Sequence, residues 1–235
     1  MVLHTSGFKS KLLKRRPLLT DRHIAARLKF SSQFLSDEIM LGIAIVFTDE
    51  KKFKYDGPNG WMFYWWHASD NPRTVHMSKD FGKFKGVMVH MAVNTAGILS
   101  LTRVRGKMNS YDWVEVVINE VIPSANIAHG DAFLYQKENA SIHNQKEMIS
   151  QLEENGVKFL DWPELSANLN PVENYWALLV CRVYIEGRPY DNDGSLQLAI
   201  KTETAKLTDA EILPFVNSLR SRLTEVLLQK GKYIQ

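Results

Sequence analysis

The sequence predicts a single α/β domain in which a mixed sheet is flanked by helices. Strand-like segments and hairpins come first along the chain, alternating helices and strands follow, and helices end it. The 235 residues are enough for one core, and no linker rich in Pro, Gly or Ser divides them. Apolar residues make up 45% of the chain and charged residues 23%, which excludes a disordered or fibrous protein.

The first half of the chain is predicted to contain one helix followed by strands. Thr20 is a suitable N-cap for a helix over 21–34. The continuous apolar run over 43–48 is typical of a buried strand. Glycine-containing turns predict two hairpins, which pair 52–55 with 61–66 and 86–93 with 98–104.

The second half is predicted to alternate between helices and short strands. The helix over 110–121 has one apolar face, made by Trp113, Val114, Val117, Ile118 and Val121. Strands are predicted over 133–136 and 157–160, and helices over 144–154, 172–185, 194–205 and the C-terminal part, with a break at Pro214.

Several classes of protein are excluded by simple features of the sequence. A single cysteine, Cys181, excludes a disulfide scaffold and a cysteine-rich zinc site. The longest apolar run, 39–47, is far shorter than the roughly 20 residues that span a bilayer. The basic N-terminus has no apolar stretch behind it, so it does not resemble a secretory signal. We therefore expect no association with membranes.

Positive charge is concentrated at the N-terminus. Residues 1–30 contain eight Lys and Arg against one acid, whereas the rest of the chain is mildly acidic. Lys and Arg near phosphates release counterions, so a basic arm favours contact with nucleic acid. The alternative is a solvated tail that keeps the chain soluble. The side chains predicted to contact DNA are Lys9, Lys11, Lys14, Arg15 and Arg16.

Two acidic residues come at the ends of predicted strands. Asp49 ends the apolar strand over 43–48, and a buried carboxylate there is costly unless it is paired or binds a metal. Glu138 follows the short strand over 133–136. The alternative is that Asp49 reaches solvent or a lysine, and that Glu138 lies in an ordinary loop before a helix.

A third acid, Glu173, lies at a predicted helix start. Asn170 is a natural N-cap and Pro171 a natural first helical residue, which makes Glu173 the third helical position. There it could be only the carboxylate of a capping box. The same position allows a functional role, because the positive end of a helix favours the ionised carboxylate that a metal needs.

Taken together, the three carboxylates indicate a metal site. Strand ends and helix starts can meet at one edge of a sheet, and carboxylates packed there repel unless a divalent cation neutralises them. Ligands that are all oxygen favour magnesium or manganese over zinc. Two such ions a few ångströms apart are the usual device for in-line phosphodiester chemistry.

The segments around these acids resemble a known family. The blocks FTDEKKF around Asp49, QKENASIH around Glu138 and WPELSANLNPVENYW around Glu173 are similar to the three signature blocks of DDE transposases of the Tc–mariner superfamily, most closely its nematode-type branch. Thirty-four residues separate Glu138 from Glu173, the spacing that the family uses. The resemblance extends from about residue 17 to residue 233.

The resemblance implies an RNase H-like fold and transposase chemistry. Residues 1–30 would form the basic arm and a helix, and 31–235 an RNase H-like DDE catalytic domain. Asp49, Glu138 and Glu173 would be the catalytic residues and would hold two Mg²⁺ or Mn²⁺ ions. The reaction would cut DNA at transposon ends and then join the freed 3′-hydroxyl to target DNA.

The resemblance also implies partners, a location and a neighbouring histidine. We expect DNA as the partner, a homodimer as one option, a nuclear location and no small-molecule cofactor. His143 lies where the family has a histidine beside the second acid, and stabilisation of the loop is the alternative role.

The chain departs from the family pattern in ways that bear on activity. The family has Asp where this chain has Glu138, and SPDLNP where this chain reads SANLNP over 166–171. It also carries helix-turn-helix modules before the catalytic domain, and we expect only the basic arm here. Weak or absent catalysis is therefore expected. The alternatives are an inactive domesticated transposase that acts as a DNA-associated or protein-binding module, and a decayed copy without function.

Overall fold

The structure is a computed structural model that describes residues 17–38, 44–57, 86–106 and 108–234. The basic side chains of 1–16 and the strand predicted over 61–66 lie outside the described residues. No helix within the described ranges has both the length and the apolar character that crossing a membrane requires.

The described residues form four strands and eight α-helices. The strands are β1 (Ala44–Phe53), β2 (Val87–Asn94), β3 (Gly97–Val104) and β4 (Phe133–Gln136). The helices are α1 (Asp21–Ser36), α2 (Ser110–Val116), α3 (Ile122–His129), α4 (Lys146–Glu154), α5 (Val172–Val183), α6 (Asp193–Ala205), α7 (Asp209–Asn217) and α8 (Leu219–Leu228). Short turns of other helix types are Val117–Val121 (π) and Ser141–His143, Ala167–Leu169 and Ile185–Gly187 (3₁₀).

The strands form one mixed sheet in the order β3-β2-β1-β4. β1 pairs antiparallel with β2 and parallel with β4, and Phe47 is the partner of Gln136 in the parallel register. Because β1 and β4 run in the same direction, the residues that follow this pair on each strand lie at the same edge of the sheet. The mixed sheet flanked by helices that the sequence predicts is confirmed.

Local sequence signals explain several of these elements. Thr20 caps α1 in a reciprocal capping box with His23, as the sequence predicts. In the β2–β3 turn, the Asn94 side chain accepts a hydrogen bond from the Ala96 amide at 2.7 Å. Gly97 follows with a φ of +107°, which L-residues rarely adopt. The second predicted hairpin is therefore confirmed.

β1 is longer than predicted, and residues 52–53 belong to it rather than to a separate hairpin strand. Pairing continues to the end of the strand, where Phe53 lies opposite Val87. A Cβ at Gly86 would lie 2.2 Å from the Phe53 carbonyl oxygen, so only glycine allows β2 to begin this close to β1.

Three further boundaries differ from the prediction. The strand over 157–160 is reduced to one bridge between Phe159 and Tyr135. The helix predicted over 110–121 continues to His129. The turn before Pro123 is π-helical, because proline lacks the backbone N–H that a regular α-helical turn would use. Pro214 lies inside α7, where the buried Ile212 and Val216 hold the helix in place, and the break falls at Ser218 instead.

The sheet separates two apolar layers, and alternate side chains of β1 enter each. Phe47 and Phe53 enter the layer formed with α1 and α5–α8. Val46 enters the layer formed with α2–α4, which includes Trp113 and Leu152. The sheet faces are thus assigned by the period of two along the strand.

Arg27 joins three distant segments inside the first layer. Its side chain has 0% exposure and donates to the carbonyls of Gly231 (2.9 Å) and Lys232 (3.2 Å). It also donates to Ser166 Oγ (2.8 Å) and Asn168 Oδ1 (3.2 Å). Arg27 therefore fixes α1 and the C-terminal end to the turn that leads into α5.

Arg27→Ala is expected to lower the free energy of unfolding by about 3 kcal/mol or more, because the oxygens that it satisfies would stay buried without donors. Arg27→Lys should not restore stability, since an ammonium group cannot form this planar set of bonds. Arg22→Ala is the matched control in the same helix. Its guanidinium pairs with Glu164 at an exposed position, where such a pair contributes about 0–1 kcal/mol. Equal losses in urea denaturation for both alanine variants would contradict this role for Arg27.

Candidate active site

Asp49 and Glu138 both follow the point where the parallel pairing of β1 with β4 ends, and Asp49 lies within β1, opposite Met91 of β2. Each is two residues beyond the parallel pair of Phe47 and Gln136. The Gln136 side-chain oxygen accepts a hydrogen bond from the Thr48 amide at 3.1 Å, and Thr48 Oγ1 lies 3.0 Å from the Gln136 carbonyl oxygen. These bonds tie β1 to β4 immediately before the two acids.

Glu173 lies in the first turn of α5, as the sequence predicts. The helix begins at Val172, with Pro171 at the N-cap position, one residue later than expected. The capping-box alternative is not formed. In a capping box the Glu173 carboxylate would accept from the backbone N–H of Asn170, but this N–H donates to the Ala167 carbonyl at 2.9 Å. The Glu173 side chain is exposed, which leaves its carboxylate accessible to a ligand.

Trp176 connects Asp49 to α5. Its indole Nε1–H donates to Asp49 Oδ2 at 2.7 Å, and both side chains are buried. Trp176 is three residues after Glu173, so both lie on the same side of the helix. Sequence reasoning missed Trp176, although this spacing from Glu173 is the signal that could have identified it.

The three acids interact electrostatically. Burial raises the pKa of Asp49 well above its ordinary value, Glu138 and Glu173 raise it further, and the bond from Trp176 opposes them. Burial also raises the pKa of Glu138, and Glu50 and Glu173 add to the effect. Glu138 and Glu173 are therefore close enough to Asp49 to disfavour the charge of its carboxylate.

A second acidic residue of β1, Glu50, faces the other side of the sheet. Its carboxylate Oε1 lies 3.4 Å from His143 Nε2 and 3.9 Å from His90 Nε2. Burial opposes ionisation of Glu50, but the nearby His143 and His90 hold its pKa below the ordinary value. Burial lowers the pKa of His90 to about 4. Sequence reasoning missed this cluster.

His143 supports the loop that carries Glu138. Its ring packs against Trp113 at 4.7 Å between centroids, and its side chain is buried. Together with the Glu50 contact, this packing fixes the 3₁₀ turn that follows Glu138. These contacts agree with the loop-stabilising interpretation of His143.

The three acids have the oxygen ligands of a magnesium or manganese site, but they do not form a complete coordination site in this structure. Carboxylate oxygens are the ligands that these hard cations prefer, and a cation would relieve the repulsion at Asp49. In the part of the chain that the structure describes, however, no three His, Cys, Asp or Glu side chains are grouped closely enough to hold a metal ion. Metal binding at Asp49, Glu138 and Glu173 stays a prediction.

An open cleft of about 570 Å³ adjoins Glu138. Its walls include His23 of α1 and the segment 162–167, and the Asn139 side chain donates to the Trp162 carbonyl at 3.0 Å across it. The cleft makes one of the three acids accessible to a large substrate.

Comparison with known proteins identifies relatives of the chain. The family model described as "DDE superfamily endonuclease" matches residues 44–197. The transposable element Tc3 transposase of Caenorhabditis elegans is 32% identical over 222 residues, which cover 94% of this chain and 66% of that protein. This chain thus spans just under two thirds of the length of that relative.

Solved structures of low sequence identity share the fold. The Mos1 transposase paired-end complex with left transposon end matches with a TM-score of 0.80 at 18% identity, over 99% of this chain and 70% of that chain. The Mos1 mariner paired end complex with Mn matches with a TM-score of 0.78 at 17% identity, over 99% and 70%. The RNase H-like fold implied by the signature blocks is confirmed.

Asp49→Asn is expected to stabilise the metal-free chain. The amide keeps an oxygen for the Trp176 indole and removes one repelling charge. Because the folded-state pKa of Asp49 lies above the ordinary 3.8, the native state holds the proton more tightly than the unfolded state. The contribution of Asp49 to the free energy of unfolding therefore falls as the pH rises from about 3.8 through the folded-state pKa. The stability advantage of Asp49→Asn over the native chain should grow across the same pH range.

Thermal unfolding without divalent ions, at about pH 5 and about pH 8, tests this expectation. The variant should unfold at least about 2 °C higher at the upper pH. Asp131→Asn is the matched control, because Asp131 is an exposed carboxylate just before β4. A lower unfolding temperature for Asp49→Asn than for the native chain would contradict the repulsion.

Proposed function

Because the chain belongs to the DDE superfamily endonucleases and, within them, to the Tc–mariner transposases, we propose that it carries out metal-dependent cleavage and transfer of DNA strands. The observation that carries the proposal is the hydrogen bond that the Trp176 indole, three residues after Glu173, donates to Asp49. This bond links the start of α5 to Asp49, and the parallel pairing of β1 with β4 leads to Glu138 beside it, which supports a site for phosphodiester chemistry with two cations.

Each acid has a distinct support in the proposed reaction. Trp176 holds one oxygen of Asp49 and leaves the other for a cation. Glu173 is held in the exposed first turn of α5. Glu138 stands on the loop supported by His143. Two divalent ions, when bound, would activate the attacking oxygen and stabilise the leaving oxygen.

The proposed reaction has two strand-breaking steps. In the first, the oxygen of a water molecule bonds to a phosphorus atom at the transposon end, and the bond to the 3′-oxygen breaks. In the second, the freed 3′-hydroxyl oxygen bonds to a phosphorus of target DNA, and the bond from that phosphorus to the 3′-oxygen of the target strand breaks. Asp49, Glu138 and Glu173 would hold the cations, and the cations would supply the charge stabilisation that both exchanges need.

DNA is the proposed substrate and partner. The matched Mos1 structures are paired-end complexes, one of them with a left transposon end, which supports a DNA partner and assembly as a homodimer. The basic side chains of 1–16 are proposed to contact the DNA backbone, and the cleft beside Glu138 gives a strand access to that acid. A nuclear site of action follows from such a substrate.

A second candidate function is an inactive, domesticated transposase that binds DNA or protein. Two observations favour it over full activity. Glu138 replaces the aspartate of the family, and the described acids are not grouped closely enough for a metal. A decayed copy without function is the limiting case of this alternative.

The length of Glu138 is expected to limit the reaction. Glutamate adds one methylene to aspartate and moves the carboxylate by roughly 1 Å, whereas catalytic sites tolerate about 0.5 Å. Magnesium demands nearly ideal octahedral geometry, and the larger manganese ion is less exacting. We expect little or no nicking with Mg²⁺ and a trace with Mn²⁺. Glu138→Asp should raise the rate, by up to about a hundredfold.

The measurement compares the native chain, Glu138→Asp and Asp49→Ala on intact and pre-nicked DNA. Asp49→Ala is the inactive control. Robust Mg²⁺ activity in the native chain that Glu138→Asp does not improve would show that Glu138 is an adapted ligand. Absence of activity in every protein would favour the non-catalytic candidate.

The basic arm is expected to provide weak, non-specific DNA binding that falls steeply with salt. A variant lacking residues 1–16 loses five Lys and Arg side chains. The slope of log K against log salt should then become shallower by up to about 4.

Fluorescence anisotropy with duplex DNA over a salt series measures the effect. The matched control replaces five exposed lysines elsewhere by glutamine: Lys146, Lys158, Lys201, Lys230 and Lys232. If the shortened chain binds as well as the native chain at every salt concentration, the arm does not contribute.

A further inference from the structure

We propose that Asn170 is a positioning residue that sets the separation of Asp49 and Glu173 and thereby the affinity of this edge for divalent cations. This inference rests on the proposed function, because it assumes that these acids bind a cation. Asn170 itself contacts neither acid side chain. It acts through the backbone that carries them.

One side-chain amide of Asn170 links the two segments. Its Nδ2 donates to the Thr48 carbonyl oxygen at 2.9 Å, and its Oδ1 accepts from the Val172 amide at 3.1 Å. Thr48 immediately precedes Asp49, and Val172 immediately precedes Glu173. The side-chain amide therefore bridges the peptide group between Thr48 and Asp49 and the peptide group between Pro171 and Val172, one residue before the one that joins Glu173. The contact with the strand joins residues 122 apart along the chain.

Both ends of this bridge are fixed. The Thr48 amide is held by the Gln136 side chain on the β4 side, at 3.1 Å. The backbone N–H of Asn170 donates to the Ala167 carbonyl at 2.9 Å, and the backbone carbonyl of Asn170 accepts from the backbone N–H of Glu173 at 3.3 Å. Asn170 has 0% exposure, so water cannot replace a lost bond without opening the packing.

The bridge opposes a force that would separate the segments. Asp49 and Glu173 repel each other when both are ionised, as a hard cation requires. Without the donor of Asn170, the start of α5 could move away from β1. A change of about 1 Å exceeds what metal sites tolerate.

The chemistry of asparagine suits both bonds at once. A serine hydroxyl can still accept from the Val172 amide, but its shorter side chain carries no amide to reach the Thr48 carbonyl. Glutamine keeps the amide nitrogen and oxygen but adds a methylene, which would push the segments apart. Asn170→Ser therefore tests the loss of the bond to Thr48 alone, and Asn170→Gln tests the length of the side chain with its chemistry kept.

The test measures Mn²⁺ binding to the full chain from the electron paramagnetic resonance signal of free Mn²⁺, which requires no catalysis. The proteins are the native chain, Asn170→Ser, Asn170→Gln and Asp49→Ala. Asn192→Ser is the matched control, because Asn192 caps α6 by accepting from the Ser195 amide at 2.9 Å. Circular dichroism and urea denaturation establish that each variant is folded.

We expect Asn170→Ser and Asn170→Gln to weaken Mn²⁺ binding about tenfold or more, as removal of an outer support of a metal site does. Asn192→Ser should bind within about twofold of the native chain. If only the glutamine variant folds, its affinity decides.

Three results would overturn the inference. Mn²⁺ affinity within about twofold of native in folded Asn170 variants would show that the bridge does not position the acids. Unfolding of both Asn170 variants would show that Asn170 serves stability as a whole. A native chain that binds Mn²⁺ no better than Asp49→Ala would instead overturn the proposed metal site, and the positioning role with it.

Discussion

Repulsion of the buried Asp49 carboxylate by the neighbouring acids is the constraint on which the candidate site depends. Burial and the neighbouring Glu138 and Glu173 raise the pKa of Asp49. An apolar arrangement would be more stable there, so the acids need support from elsewhere. The supports are the parallel pairing of β1 with β4, the indole of Trp176 and the bridging amide of Asn170. Contacts in the surrounding fold thus hold together charged groups that would otherwise move apart, at a cost in stability.

The supports form a continuous scaffold on both faces of β1. On one face, Arg27 fixes the turn that leads to α5, and α5 carries Glu173 and Trp176. On the other face, Glu50 and His143 secure the loop after β4. Adjacent residues of a strand point to opposite faces, so Asp49 and Glu50 serve different layers although they are neighbours. Asp49 belongs to the candidate site, and Glu50 holds the loop of the second acid.

The replacement of aspartate by Glu138 matters because the rest of the edge is stiff. A flexible loop could absorb one extra methylene, but His143, five residues after Glu138, packs against Trp113. The cleft beside Glu138 leaves space on the solvent side. Whether the additional length is accommodated there decides between an adapted transposase site and a domesticated, inactive one.

The sequence by itself determined the elements and the family. Period-two and period-3.6 patterns identified the strands and helices of the described residues, and three spaced blocks identified the acids Asp49, Glu138 and Glu173. Local patterns failed where distant contacts decide: Pro214 stays within α7 because Ile212 and Val216 are buried, and 157–160 forms only a bridge. Likewise, Asn170 is identified as a cap by its neighbours, but its bond to Thr48 joins residues 122 apart. Only the tertiary structure decided that contact, because no local pattern encodes which distant carbonyl a side-chain amide will meet.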